Sequence, residues 1–106
     1  MSEQLKSVLK ELRQRLAALY GSRLVELVLF GSQARGDAES DSDIDVLVVL
    51  NGQVHAYEEI MRASKITAEL SLAFGQVISC TFMSTDRFAT EGSPLLLNVR
   101  HEGIPV

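Results

Sequence analysis

The chain has 106 residues, 46% of them apolar and 23% charged, with ten bases against fourteen acids and a net charge of −4. That size predicts one domain over 1–106 with one modest core, and the apolar fraction excludes a disordered chain. The acid excess argues against direct nucleic-acid binding, the single cysteine excludes an internal disulfide, and no apolar run nears the roughly 18 residues of a membrane span. Met1-Ser2-Glu3-Gln4 has no signal-peptide character, so a cytoplasmic location without membrane contact is expected.

Leu5, Val8, Leu9, Leu12, Leu16 and Leu19 recur at steps of three and four, which predicts an amphipathic helix over 3–20 that stops at Gly21. Residues 24–30 are short, branched and apolar and predict a buried strand ending at Gly31-Ser32. A polar loop is expected over 33–42, then a strand over 43–50 closed by Asn51-Gly52. A second helix is expected over 54–73, with Tyr57, Ile60, Met61, Ser64, Ala68 and Leu72 inward, then a third strand over 77–82. Ser93 as N-cap and Pro94 at the first helical position predict a last helix over 93–100. This order predicts an α/β fold with helices covering one face of a small sheet.

The residues that carry chemistry lie between Gly31 and Asp45. A strand ending in Gly31-Ser32 allows close backbone approach to an anion and adds a hydroxyl donor. Arg35 follows, with a planar guanidinium suited to phosphate. Asp43 and Asp45 stand two apart on a strand, so both carboxylates project from one face roughly 6.5–7 Å apart. Singly, each feature has an ordinary structural explanation, including the five acids among residues 37–45 as a solvated loop. Together they point elsewhere. Asp45 enters an otherwise apolar strand, which is costly without a partner, and hard oxygen ligands favour magnesium.

Gly31-Ser32-Gln33-Ala34-Arg35-Gly36 followed by Ser42-Asp43-Ile44-Asp45 resembles the signature of the nucleotidyltransferase superfamily related to DNA polymerase beta. The length and Asn98-Val99-Arg100-His101-Glu102-Gly103 resemble the minimal nucleotidyltransferases of bacteria and archaea. The resemblance implies a mixed sheet, Gly31 and Ser32 on the triphosphate of ATP, and two Mg2+ ions on Asp43 and Asp45. It implies transfer of AMP to a hydroxyl. It also implies a helical partner, a higher-eukaryote-and-prokaryote nucleotide-binding-domain protein, with this chain as antitoxin. A homo-oligomer stays open.

One departure bears on activity. The superfamily pattern places a third carboxylate on the next strand, and the alignment puts Ser79 there, a poor ligand and a poor base. Glu69 on the preceding helix could in principle compensate, though nothing in the sequence positions it. Ser79 supports a competing reading, a module that neutralises its partner by binding and not by catalysis. A third reading, a subunit for modifying small molecules such as aminoglycosides, lacks support because no substrate-binding domain is expected to follow. No Gly-Lys-Ser/Thr phosphate loop and no Gly-x-Ser-x-Gly elbow occurs. His55 and His101 read as surface residues, Cys80 as a small hydrophobe, and Arg62 and Lys65 as an exposed face. Leu95 to Val99 is apolar enough to pack on the sheet or join an interface.

Overall fold

A computed structural model describes residues 1–39 and 42–106. Its elements are α1 (Glu3–Tyr20), β1 (Leu24–Phe30), α2 (Ser32–Arg35), β2 (Ile44–Leu50), α3 (Ala56–Phe74), β3 (Ile78–Ser84), α4 (Thr85–Thr90), α5 (Pro94–Glu102) and β4 (Ile104–Pro105). The sheet is mixed, in the order β3-β2-β1-β4. β1 runs antiparallel to β2 and β4, while β2 and β3 are parallel, as the α3 crossover between them requires.

The side-chain period of two sorts each strand between two apolar layers. Leu27, Leu29, Ile44, Val46, Val48, Leu50 and Phe82 join the buried residues of α1 and α3. Val28, Leu47, Val49 and Met83 face the other way and meet Leu96 and Val99 of α5. β2 is therefore buried on both sides from Val46 to Leu50, which explains its unbroken apolar run. α1 and α3 form the main helical layer, and α5 adds a smaller patch on the reverse face.

Ser2 caps α1, its Oγ accepting from the Leu5 amide at 3.1 Å. The α1 stripe packs as expected through Leu16, but Leu19 is exposed and Tyr20 takes the last inward position. The expected face of the second helix is corrected. Tyr57, Ile60, Met61 and Leu72 are exposed, as are Ser64 and Ala68. Glu59, Ala63 and Leu70 point inward instead, with Ile66 and Phe74 packed beside them. The two stripes differ by two positions, about 200° around the helix. The reason is Glu59, whose buried carboxylate accepts from the Tyr20 hydroxyl and the Arg62 guanidinium, both at 2.9 Å. That network, together with small Ala63, turns the apolar residues out.

The loop expected over 33–42 is helical at its start, since α2 occupies Ser32–Arg35. Four residues are too few to show a hydrophobic period. α4 and the two-residue β4 were also invisible to periodicity. The apolar tail packs through Leu96 and Val99 and leaves Leu95 and Leu97 exposed. No described helix is long and apolar enough to cross a membrane.

Candidate functional site

The register brings the candidate residues to one end of the sheet, on the α5 side. Phe30, the last residue of β1, pairs with Asp45, and Asp45 pairs with Ser79 on its other flank. Gly31 then turns the chain with φ +78°, a conformation L side chains rarely adopt. A Cβ at Gly31 would stand 2.6 Å from Asp45 Oδ2, so only glycine lets the turn pass over that carboxylate.

Asp45 is partly buried and Asp43 exposed. Burial first, and then the charge of Asp43, raise the Asp45 carboxyl above its ordinary range, while Arg35 pulls it the other way. Asp43, Arg35 and Asp45 thus lie within one electrostatic neighbourhood. Among the described residues neither aspartate has an ion-pair partner. A partly buried carboxylate crowded by a second one, with no internal cation paired to either, is a donor set that fits a hard divalent cation. Among the described residues no group of three His, Cys, Asp or Glu side chains gathers around them. Asp41, counted among the acids of the loop, lies outside the described residues.

Ser32 begins α2, and its carbonyl accepts from the Gly36 and Asp37 amides at 3.0 and 3.2 Å. Arg35 ends that helix and is already engaged. Its Nε donates to Asp37 Oδ2, and its Nη1 to both oxygens of Glu102, all at 3.2 Å. Asp37 and then Glu102 hold the guanidinium more firmly protonated than usual. Glu102 also accepts from the Gly31 amide at 3.2 Å. Glu102 is the residue sequence reasoning missed. It lies 67 positions from Arg35, and beyond its place in the Asn98–Gly103 resemblance its signal was an acid at the C-terminal end of a helix, where the macrodipole disfavours one.

Ser79 is exposed and in register with Asp45, which is where the alignment set it. Glu69 does not reach this end. It accepts from Arg15 of α1 at 2.6 Å, within the helical layer on the opposite side of the sheet. Cys80 faces that helical layer, and burial pushes its thiol up to about 12, so it is no nucleophile. His55 and His101 are exposed. Lys65 extends toward Glu69 at 4.0 Å, and Arg62 belongs to the Glu59 network. Chemically, the end of the sheet offers two carboxylates for a cation, a hydroxyl and an arginine for phosphate, and a serine where a third acid could stand.

Comparison with known proteins gives the same architecture. The sequence profile described as nucleotidyltransferase domain matches residues 8–87. A protein of Methanocaldococcus jannaschii that carries the name protein adenylyltransferase is 32% identical over 68% of this chain and 72% of its own length. A second of that name from the same organism is 35% identical over 76% of this chain and 74% of that protein. A toxin–antitoxin crystal structure with AMP-PNP superposes with a TM-score of 0.65 at 18% identity, covering 98% of this chain and 72% of that one. At that identity the last likeness speaks for the fold alone.

Proposed function

The chain belongs to the nucleotidyltransferase domain family, and from that premise we propose that it transfers AMP from ATP to a hydroxyl in a magnesium-dependent reaction. The observation that carries this reading is Asp45, a partly buried carboxylate beside Asp43 with no internal ion-pair partner, directly beneath the Gly31 turn. Asp43 and Asp45 would hold the two Mg2+ ions, which supply charge neutralisation for the phosphates and lower the pKa of an acceptor hydroxyl. Gly31 keeps the turn low enough for phosphates to approach Asp45. The Ser32 hydroxyl and the Arg35 guanidinium bind phosphate oxygens and hold the donor in line. Orientation of this kind supplies a large part of such a barrier reduction.

The acceptor is a hydroxyl of a helical partner protein, and its modification makes this chain an antitoxin. The relatives named protein adenylyltransferase support a protein acceptor. Docking would then supply the acceptor wall that this small sheet end lacks. One observation favours a second reading. Ser79 occupies the position beside Asp45 where a third carboxylate would complete the site, so a module that silences its partner by contact also accommodates this geometry.

Intact mass spectrometry of the mixed proteins with ATP and Mg2+ separates the two. The leading reading expects the partner to gain the mass of one AMP, with the gain lost in Ser32→Ala, Asp43→Ala and Asp45→Ala. Silencing without added mass, equally strong in Asp45→Ala, selects the binding module.

A further inference from the structure

Glu102 holds Arg35, which the preceding reading gives to phosphate, and also the amide of Gly31 beside Ser32. Its carboxylate accepts from the Gly31 amide and from Arg35 Nη1, and its side chain is 19% exposed. A backbone N–H and a guanidinium edge are the donors a phosphate oxygen takes. On that reading of the site, we infer that Glu102 is a resident anion in the phosphate grip and that a bound nucleotide must displace it.

Charge makes the conflict explicit. Arg35 is flanked by Asp37 and Glu102, and its charge is felt at Asp45, itself close to Asp43. One guanidinium is therefore ion-paired with two carboxylates and favours the charge of a third, Asp45. Polyphosphate entering that surround competes for Arg35 with an acid already seated on it, and cations on Asp43 and Asp45 cancel only the other side of the repulsion.

Glu102 does not stand there by helix preference. It is the last residue of α5, where a negative charge opposes the helix dipole, so its placement reflects what it binds. The segment that carries it is anchored on both sides. Leu96 and Val99 are buried, and Arg100 Nη2 donates to the Phe88 and Glu91 carbonyls at 2.8 and 2.9 Å. Beyond Glu102, Gly103 packs its backbone against the Val99 carbonyl and Val28, Ile104 and Val106 pack against the main core, and the Val106 amide donates to the Leu27 carbonyl at 2.9 Å while its carbonyl accepts from Arg13 at 2.6 Å. Release of Glu102 therefore needs a side-chain rotation, with the tail and the core left in place.

This inference rests on the phosphate-grip reading, and the experiment separates the two. Calorimetric titration of ATP with Mg2+ into the full chain and into Glu102→Gln is expected to show the variant binding about two- to fivefold tighter, the scale of one partly exposed ion pair. Equal or weaker binding by a folded variant, with the wild type binding, overturns the displacement and makes Glu102 a fixed support of Arg35. No binding by either protein overturns the grip reading together with the inference. Amide exchange of the wild type guards against a misfolded variant. With ATP and Mg2+ saturating, exchange at Gly31 should slow as phosphate replaces Glu102 on its amide. Unchanged or faster exchange at Gly31 in the nucleotide-bound protein overturns the displacement.

Discussion

Two acids on opposite faces of one sheet are treated in opposite ways. Glu59 lies in the helical layer with its side chain 4% exposed, and every demand of its carboxylate is met internally. Tyr20 and Arg62 donate to it, and Arg23 pairs with it at 3.8 Å. Asp45 lies on the other face, partly buried, beside a second aspartate and below a glycine turn that a Cβ would block. A chain that can surround Glu59 with three partners leaves Asp45 to Asp43 and the distant pull of Arg35. Buried acids kept for the fold are paired, so the unpaired one marks chemistry.

The sharpest way to press the comparison is to give the open end the acid it lacks. Ser79 is in register with Asp45 and exposed. Ser79→Asp should complete a three-carboxylate site and raise the transfer rate about 10²–10⁴-fold, the usual worth of general-base help. A radiolabelled AMP transfer assay checks it. No gain in rate would mean that the acceptor does not approach from the β3 side.

Stability distinguishes the two acids with opposite signs. Glu59→Ala strips the buried Tyr20 hydroxyl of its acceptor and should cost about 1–3 kcal/mol in urea unfolding. Asp45→Asn should act in the other direction and more weakly. Burial and Asp43 raise the Asp45 carboxyl, so the folded chain holds that proton more tightly than the unfolded one. Its contribution is complete below the unfolded pKa and is lost as pH rises through the raised folded value. Without metal, Asp45→Asn should therefore raise Tm at neutral pH by up to about 2 °C and give no gain in acid. A drop in Tm at neutral pH would show that the Asp45 charge is satisfied within the fold.

The same contrast explains what could be read from the residues alone. α1 was legible because six apolar side chains repeat on one stripe, and its core-facing residues follow that stripe to its last turn. β2 was legible because burial on both faces leaves an unbroken apolar run. α3 was legible as a helix but not in its rotation, since counting apolar residues chooses the Tyr57–Leu72 stripe. Only the meeting of Glu59 with Tyr20, 39 positions away, turns that stripe outward. At the site, Gly31, Ser32, Arg35, Asp43 and Asp45 announced themselves by local spacing. Glu102 was quoted within the Asn98–Gly103 resemblance, but its contact with Arg35 and Gly31 was not legible, because it depends on α5 returning beside β1, which no local pattern encodes.

The central claim is that the Asp43–Asp45 end of the sheet binds nucleotide through divalent cations. Calorimetric titration of ATP with Mg2+ into the wild type, Asp43→Ala and Asp45→Ala tests it directly, with circular dichroism to establish that the variants fold. The account predicts binding by the wild type that disappears on chelation of Mg2+ and in both variants, while all three proteins melt cooperatively. Undiminished ATP affinity in two folded variants would contradict it.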